Sequence, residues 1–205
     1  MRALLWVVAV VLAVCAAARL QAQTPAGDLA LVEWSVGRRL AVKDFRAKIP
    51  SRAAEASLSW VAIEAAWECQ EGRASSQARA VFDPNRSWWK DALPNLWQNV
   101  DDASLLAPPD NGGRALLAHE QLHFDMTEVW ARRIREKFKA LPSFCGIPGG
   151  PGQFEKAIGD MEREWQEEQQ RYDRETSHGA DAARQRAWAQ KVAKTLQESY
   201  SAPVH

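Results

Sequence analysis

From Arg114 to Ala140 the chain has no Gly or Pro, and Leu116, His119, His123, Met126, Trp130, Ile134 and Phe138 recur at steps of three and four. That spacing predicts a long helix with one inward stripe. A second helix is predicted from about Gln153 to Ser177, with Phe154, Ile158, Met161, Trp165 and Tyr172 on one side and a charged, Gln-rich outer face. A third runs from about Asp181 to Tyr200 on Trp188, Val192 and Leu196. Pro and Gly in the segment Pro142–Gly152 separate the first two helices. The heptads are too few and too irregular for a coiled coil.

Upstream the period changes. Ala56 to Phe82 alternates loosely: Leu58, Trp60 and Ala62, then Ala66 and Trp67, then Ala78, Ala80 and Phe82. Gln70-Glu71-Gly72-Arg73 is a turn signal in the middle. The pattern predicts a β-hairpin or small antiparallel sheet. Leu40-Ala41-Val42 reads as a short strand, and Ser87–Lys90 and Leu93–Trp97 as irregular or short helical segments. Asp101–Gly113 reads as a loop that ends in a Pro/Gly breaker, with Asp110 or Asn111 as the cap of the long helix. The expected fold class is α+β: a small N-terminal antiparallel β region (29–82), then a mainly helical part (114–200).

The start of the chain stands apart. Met1-Arg2 precedes an unbroken apolar run from Ala3 to Ala18, followed by Arg19-Leu20-Gln21-Ala22. The run is short for a membrane span and its end is Ala-rich, so residues 1–22 are expected to be a cleaved signal peptide. A retained anchor and a lipoprotein built on Cys15 are the alternatives; Val14 is bulky for the latter. Cleavage predicts an exported protein, periplasmic or extracellular, with no stable membrane span and a single domain over 23–205. Acidic and basic residues number 26 each in the whole chain; removing Arg2 and Arg19 leaves a net charge of −2. That balance gives no general reason to expect a nucleic-acid partner. Cys69 and Cys145 remain, as a disulfide or as two separate thiols. Nine of the ten Trp remain too, each needing a partner for its indole N–H when buried.

The chemistry is carried by His119-Glu120-Gln121-Leu122-His123. His-Glu-x-x-His on a helix sets two imidazoles one turn apart on one face, where they can hold one metal ion. Glu120, next to the first ligand, is placed to act as general base toward a metal-activated water. Zinc needs a further protein ligand. The extension with Gly and a third His is absent, since position 126 is Met and position 129 is Val. His178 is the preferred third ligand, with Glu164, Glu168, Glu175, Asp125 and Glu128 as rivals, and a helix C-cap as its other role. Asp173 or Asp181 can orient a ligand imidazole from behind. Tyr172, on the second helix's apolar face, is a catalytic candidate as oxyanion donor, with packing as the alternative. Trp130 and Trp165 can wall a cleft or simply fill the core.

Three strings carry a family resemblance: Ser87-Trp88-Trp89, Leu116-Leu117-Ala118-His119-Glu120-Gln121-Leu122-His123-Phe124-Asp125, and Tyr172-Asp173-Arg174-Glu175-Thr176-Ser177-His178-Gly179. With them the chain resembles a bacterial family of secreted proteins, domain of unknown function 922, often described as predicted zinc-dependent proteases. The likeness spans about Leu31 to Leu196. It departs at Leu122, where the family commonly has Gly, and in an elaborated Pro142–Gly152 stretch. The resemblance implies an exported Zn2+ metallopeptidase with His119, His123 and His178 as ligands and Glu120 as base, acting on a peptide or protein substrate in the cell envelope. A metal-stabilised, non-catalytic envelope binding protein and a metal-free helical adaptor are the other function classes.

Overall fold

A computed structural model of the chain describes residues 31–71, 73–90 and 113–201. The leader, the Leu93–Trp97 segment and the candidate caps Asp110 and Asn111 lie outside the described residues. The fold class is α+β, with antiparallel strands in the N-terminal half and a mainly helical remainder.

Two ten-residue strands, β3 (Val61–Gln70) and β4 (Arg73–Phe82), form the expected hairpin, which closes where Gln70 pairs with Arg73. The short strand β1 (Val32–Glu33) joins the far edge of β4, giving the order β1-β4-β3. Alternation divides the sheet into two faces. Val61, Ile63, Ala65, Trp67 and Cys69, with Ala74, Ala78, Ala80 and Phe82, turn toward the helices. The other face carries charge, with Arg79 bridging Glu64 and Glu33.

Two local expectations are corrected. Leu40–Val42 is not a strand: a 3-10 turn spans Val42–Asp44, and Asp44 accepts the Ala41 N–H through its carboxylate. Trp88–Trp89 is neither irregular nor helical: it is β5, paired antiparallel with β2 (Ser57–Leu58). Leu58 opposite Trp88 and Ser57 opposite Trp89 supply the cross-strand contact that a two-residue pattern cannot announce.

The long helix α1 (Gly113–Phe138) is the centre of the molecule. Phe124 and Ala131 pack against the sheet with Leu40, Phe45, Ala80 and Phe82. Ile134 and Phe138 pack with Ala78, Leu141, Phe154 and Ile158. On its other side Leu122, Met126 and Val129 meet Tyr172, Trp188 and Val192. These last come from α3 (Gly150–Thr176) and α4 (Ala182–Ser201), and the short α2 (Leu141–Cys145) turns the chain between α1 and α3. A helix covered on both sides needs apolar residues on both, which explains a stripe wider than one face. No helix among the described residues is long and apolar enough to cross a membrane.

Polar anchors fix α1 in place. Gln121 accepts the Leu40 N–H at 2.7 Å, and Asp125 accepts the Trp34 indole N–H at 2.8 Å. Buried Glu128 receives Arg132 and Arg135, which also donate to the carbonyls of Leu196 and Ala78. Asp125 and Glu128, rivals for a metal, thus tie α1 to its neighbours. Cys69 and Cys145 form a disulfide that joins the end of β3 to α2 across 76 residues of chain. Closing a loop of that length restricts the unfolded chain by about 4 kcal/mol in the loop-entropy account.

Candidate metal centre

The two motif histidines sit one turn apart on α1, with side chains 3% and 12% exposed. Their Nε2 atoms are 3.2 Å apart. Asp173, near the C-terminal end of the antiparallel α3, points its Oδ1 at both, 3.2 Å from His119 Nε2 and 2.9 Å from His123 Nε2. The three atoms form a nearly equilateral triangle. A tetrahedral zinc ion, with ligand bonds of about 2.0–2.1 Å, separates its ligand atoms by about 3.3 Å. The triangle therefore fits one face of such a site, and these three residues could hold a metal ion.

Each imidazole is oriented from behind by an amide. His119 Nδ1 lies 3.3 Å from Gln185 Oε1, and His123 Nδ1 lies 2.6 Å from Gln169 Oε1. Gln169 cannot sensibly be turned over, because its Nε2 donates to the His123 carbonyl at 3.0 Å and to Thr127 Oγ1 at 3.1 Å. Gln185 Oε1 also accepts the Tyr172 hydroxyl at 2.7 Å, so two donors converge on that oxygen. Both Nδ1 atoms therefore carry the proton, and both Nε2 lone pairs face the carboxylate. Three acceptors facing one another at about 3 Å repel unless a proton or a metal ion lies between them. In the metal-free protein the proton is on His123. Burial opposes its charge, but Asp173, then Glu120 and Gln169, outweigh burial and raise its pKa to about 9. Burial likewise opposes the Asp173 charge, yet the His123 and His119 rings hold that carboxyl well below the usual carboxylate range.

Glu120 faces the sheet side of α1 and is buried. It accepts Ser57 Oγ on one oxygen, and Ser59 Oγ and the Ser59 N–H (3.1 Å) on the other. Ser57 and Ser59 are two apart along the extended chain, so both face the same way. A carboxylate has about four acceptor directions, and three donors leave one free.

Tyr172 stands elsewhere than an oxyanion donor requires. It is fully buried, stacks on His119 with ring centroids 4.6 Å apart, and meets His123 edge-on. Its hydroxyl proton goes to Gln185, and burial raises its pKa well above the ordinary phenol value. It packs against the two histidine rings and positions them. The other candidates separate in the same way. Glu168 accepts the Trp130 indole and pairs with Lys191, while Glu175 accepts the Trp188 indole. Asp181 caps α4 through the N–H groups of Ala183 and Arg184. Trp165 is buried in α3, and Trp130 lines an open groove with Arg133, Glu164, Glu168, Arg171 and Arg174. His178, the preferred third ligand, lies two residues past the end of α3 with its Nδ1 3.7 Å from Asp173 Oδ1 and its side chain 67% exposed; it is outside the group of close ligand atoms, where Asp173 stands instead.

A family model for a bacterial protein of unknown function (DUF922) matches residues 45–179. The chain belongs to this family. No curated protein and no solved structure matches it. The DUF922 stretch contains Ser57, Ser59, the α1 motif, Gln169, Asp173 and His178, and it ends before α4 and Gln185.

The residues that sequence reading missed are Gln169, Gln185, Thr127, Ser57 and Ser59. Three had a signal. Gln169 lies one turn before Asp173 on α3, and Thr127 one turn after His123 on α1, so each shares its partner's face. Ser57 and Ser59 put two hydroxyls on one side of an extended segment next to a Trp-rich pattern. Gln185 had none, because the approach of α4 is a tertiary fact. Gln185 also leaves its Nε2 buried without a partner, a cost accepted in placing its oxygen between two donors. Replacing Gln185 with Leu should lower metal affinity by about 10- to 100-fold, because His119 loses the hydrogen bond that sets its tautomer. A chelator-competition titration reads this directly, and unchanged affinity would remove Gln185 from the site.

Proposed function

We propose that this protein is an exported zinc-dependent hydrolase of peptide or other amide bonds, acting on substrates in the cell envelope. The observation that carries the reading is the convergence of His119 Nε2, His123 Nε2 and Asp173 Oδ1 on the helix that also presents Glu120. Two imidazoles and one carboxylate are a donor set that suits zinc better than calcium or magnesium, which take oxygen ligands. Zinc held there supplies a Lewis acid for a carbonyl and lowers the pKa of a bound water to about 7. His119 and His123 hold their ligand lone pairs in place through Gln185 and Gln169. Glu120 removes the proton of the attacking water and passes it to the leaving nitrogen. Its serine clamp keeps the carboxylate from swinging away, which preserves orientation between turnovers. The groove at Trp130 lies seven residues along α1 from His123, about 10 Å. It offers both signs of charge and an indole face to an extended chain.

Export is supported by the Cys69–Cys145 disulfide, a bond that persists in oxidising compartments, together with the apolar leader. The test is hydrolysis of a broad peptide mixture by purified protein, before and after chelation. Activity should vanish on chelation and return with one equivalent of zinc. A second reading, a metal-stabilised binding protein without catalysis, is favoured by the three hydrogen bonds already made by Glu120. It takes over if the protein binds zinc tightly and cleaves nothing in the mixture.

A further inference from the structure

The three inward ligand atoms occupy three corners of a tetrahedron. A fourth nitrogen stands outside that group, whose ligand atoms lie within 4.8 Å of one another, but beside its carboxylate corner. His178 Nδ1 is 3.7 Å from Asp173 Oδ1, near the edge length of about 3.3 Å that joins neighbouring corners of a zinc site. Its setting differs from that of the two motif histidines. His119 and His123 project from the middle of a buried helix, and each is held by a glutamine. The His178 ring is largely in solvent, and among the described residues its only polar approach is to Asp173.

The backbone beneath that ring is unusual. Ser177, His178 and Gly179 are all left-handed, with φ of 51°, 54° and 85°. Left-handed residues after a helix are most often Gly or Asn, and here two of three carry other side chains. The turn is nonetheless firmly tied. His178 N–H donates to the Asp173 carbonyl at 2.8 Å, and Gly179 N–H donates to Thr176 Oγ1 at 3.0 Å. Asp181 N–H donates to the Thr176 carbonyl at 2.8 Å, and Thr176 is fully buried. A fixed backbone in a disfavoured conformation thus carries a side chain free to rotate. Strain of this kind at a non-Gly residue beside a candidate site points to a function for the side chain.

We propose that His178 is an exchangeable fourth ligand, whose imidazole closes the last corner of the metal site at rest and swings into solvent to admit substrate. The inference rests on metal binding by His119, His123 and Asp173. It differs from a permanent ligand, which would be packed and oriented from behind, and from a plain helix cap, which would need no imidazole over the carboxylate. The rotation needs only side-chain torsions, because the Cα stays anchored. It makes the site closed and inert until something competes for the corner, and open and three-liganded afterwards.

The experiment compares cobalt-loaded wild type, His178→Ala and His178→Gly, the last relieving the left-handed backbone. Metal content, chelator competition, visible absorption and azide binding are measured on each. Exchange predicts one metal per chain in all three and an affinity lowered by no more than about tenfold in the variants. It also predicts an altered cobalt spectrum and azide binding about tenfold tighter than in wild type, because the corner is already open. A drop in affinity of about 100-fold or more makes His178 a permanent ligand and overturns the proposal. An unchanged spectrum with unchanged azide binding shows that the ring never reaches the metal, which overturns it also. Failure of wild type to bind any metal removes the metal reading itself. Metal binding without peptide cleavage removes only the hydrolase reading and leaves the exchange measurable.

Discussion

Replacing Glu120 with Gln is expected to lower kcat for peptide hydrolysis by about 10²- to 10⁴-fold while the metal stays bound. That is about 3–5 kcal/mol of transition-state stabilisation, supplied by one proton transfer. The substitution is well suited to the site. An amide oxygen turned toward Ser59 keeps the N–H and hydroxyl bonds there, and the amide nitrogen can donate to Ser57 Oγ, since a hydroxyl both donates and accepts. The loss of fold stability should therefore be about 1 kcal/mol or less, visible as a small shift in Tm. His119, His123 and Asp173 are untouched, so zinc content should remain at one per chain. Steady-state kinetics together with metal analysis on the same preparation separate the effects. A variant that keeps both its zinc and its kcat would show that Glu120 is a structural residue clamped by two serines, and the general base would have to be sought elsewhere.

Much of this site was legible because it depends on local periodicity. The steps Leu116, His119, His123, Met126 fix which side of α1 is which, and a helix that long needs little tertiary help to be recognised. The hairpin was legible for the same reason, as alternation around a turn signal. What failed was non-local. β2 and β5 are two residues each and exist because Ser57 and Leu58 meet Trp89 and Trp88 some thirty residues away; no period fits inside two residues. The Asp173 position failed differently. Asp173 and His178 both stand near the end of α3, and both were in view as partners of the motif. Which one reaches the histidines depends on the rotation of α3 against α1. That rotation is set by Tyr172 packing against both histidine rings and by Gln169 clasping the His123 carbonyl. A helix also advances about 1.5 Å per residue, so five residues carry the chain past the histidines to the turn where His178 sits.

Metal binding should release a proton, and its affinity should fall by about tenfold for each pH unit below about 9. The reason is the His123–Asp173 pair that occupies the centre when no metal does. His123 titrates at about 9 in the folded chain against an ordinary 6.5, so the ion pair's contribution through His123 is fully present below 6.5 and disappears as pH rises through 9. Asp173 is shifted the other way, from an ordinary 3.8 downward, so its contribution is present above 3.8 and lost as pH falls through its depressed folded value. Between those limits the metal-free protein is held by the same two side chains that must part for the metal to enter. Tm of the metal-free protein should accordingly be level from about pH 5 to pH 6, decline between about pH 6.5 and 9 and level off above that, while that of the loaded protein should not follow it. The substitution Asp173→Asn tests the cause. It removes the charge that raises His123 and leaves burial dominant, so the ring should titrate below 6.5 and the pH slope of metal affinity should flatten between about pH 7 and 9. Affinity itself should drop by about 100-fold or more at pH 8, because the only anionic ligand of the triangle has become a neutral amide. A titration by calorimetry in two buffers of different ionisation enthalpy counts the released protons. Zero release at pH 7 in wild type would mean that the ion does not enter between His123 and Asp173, and the triangle would be a hydrogen-bonded core pair rather than a metal centre.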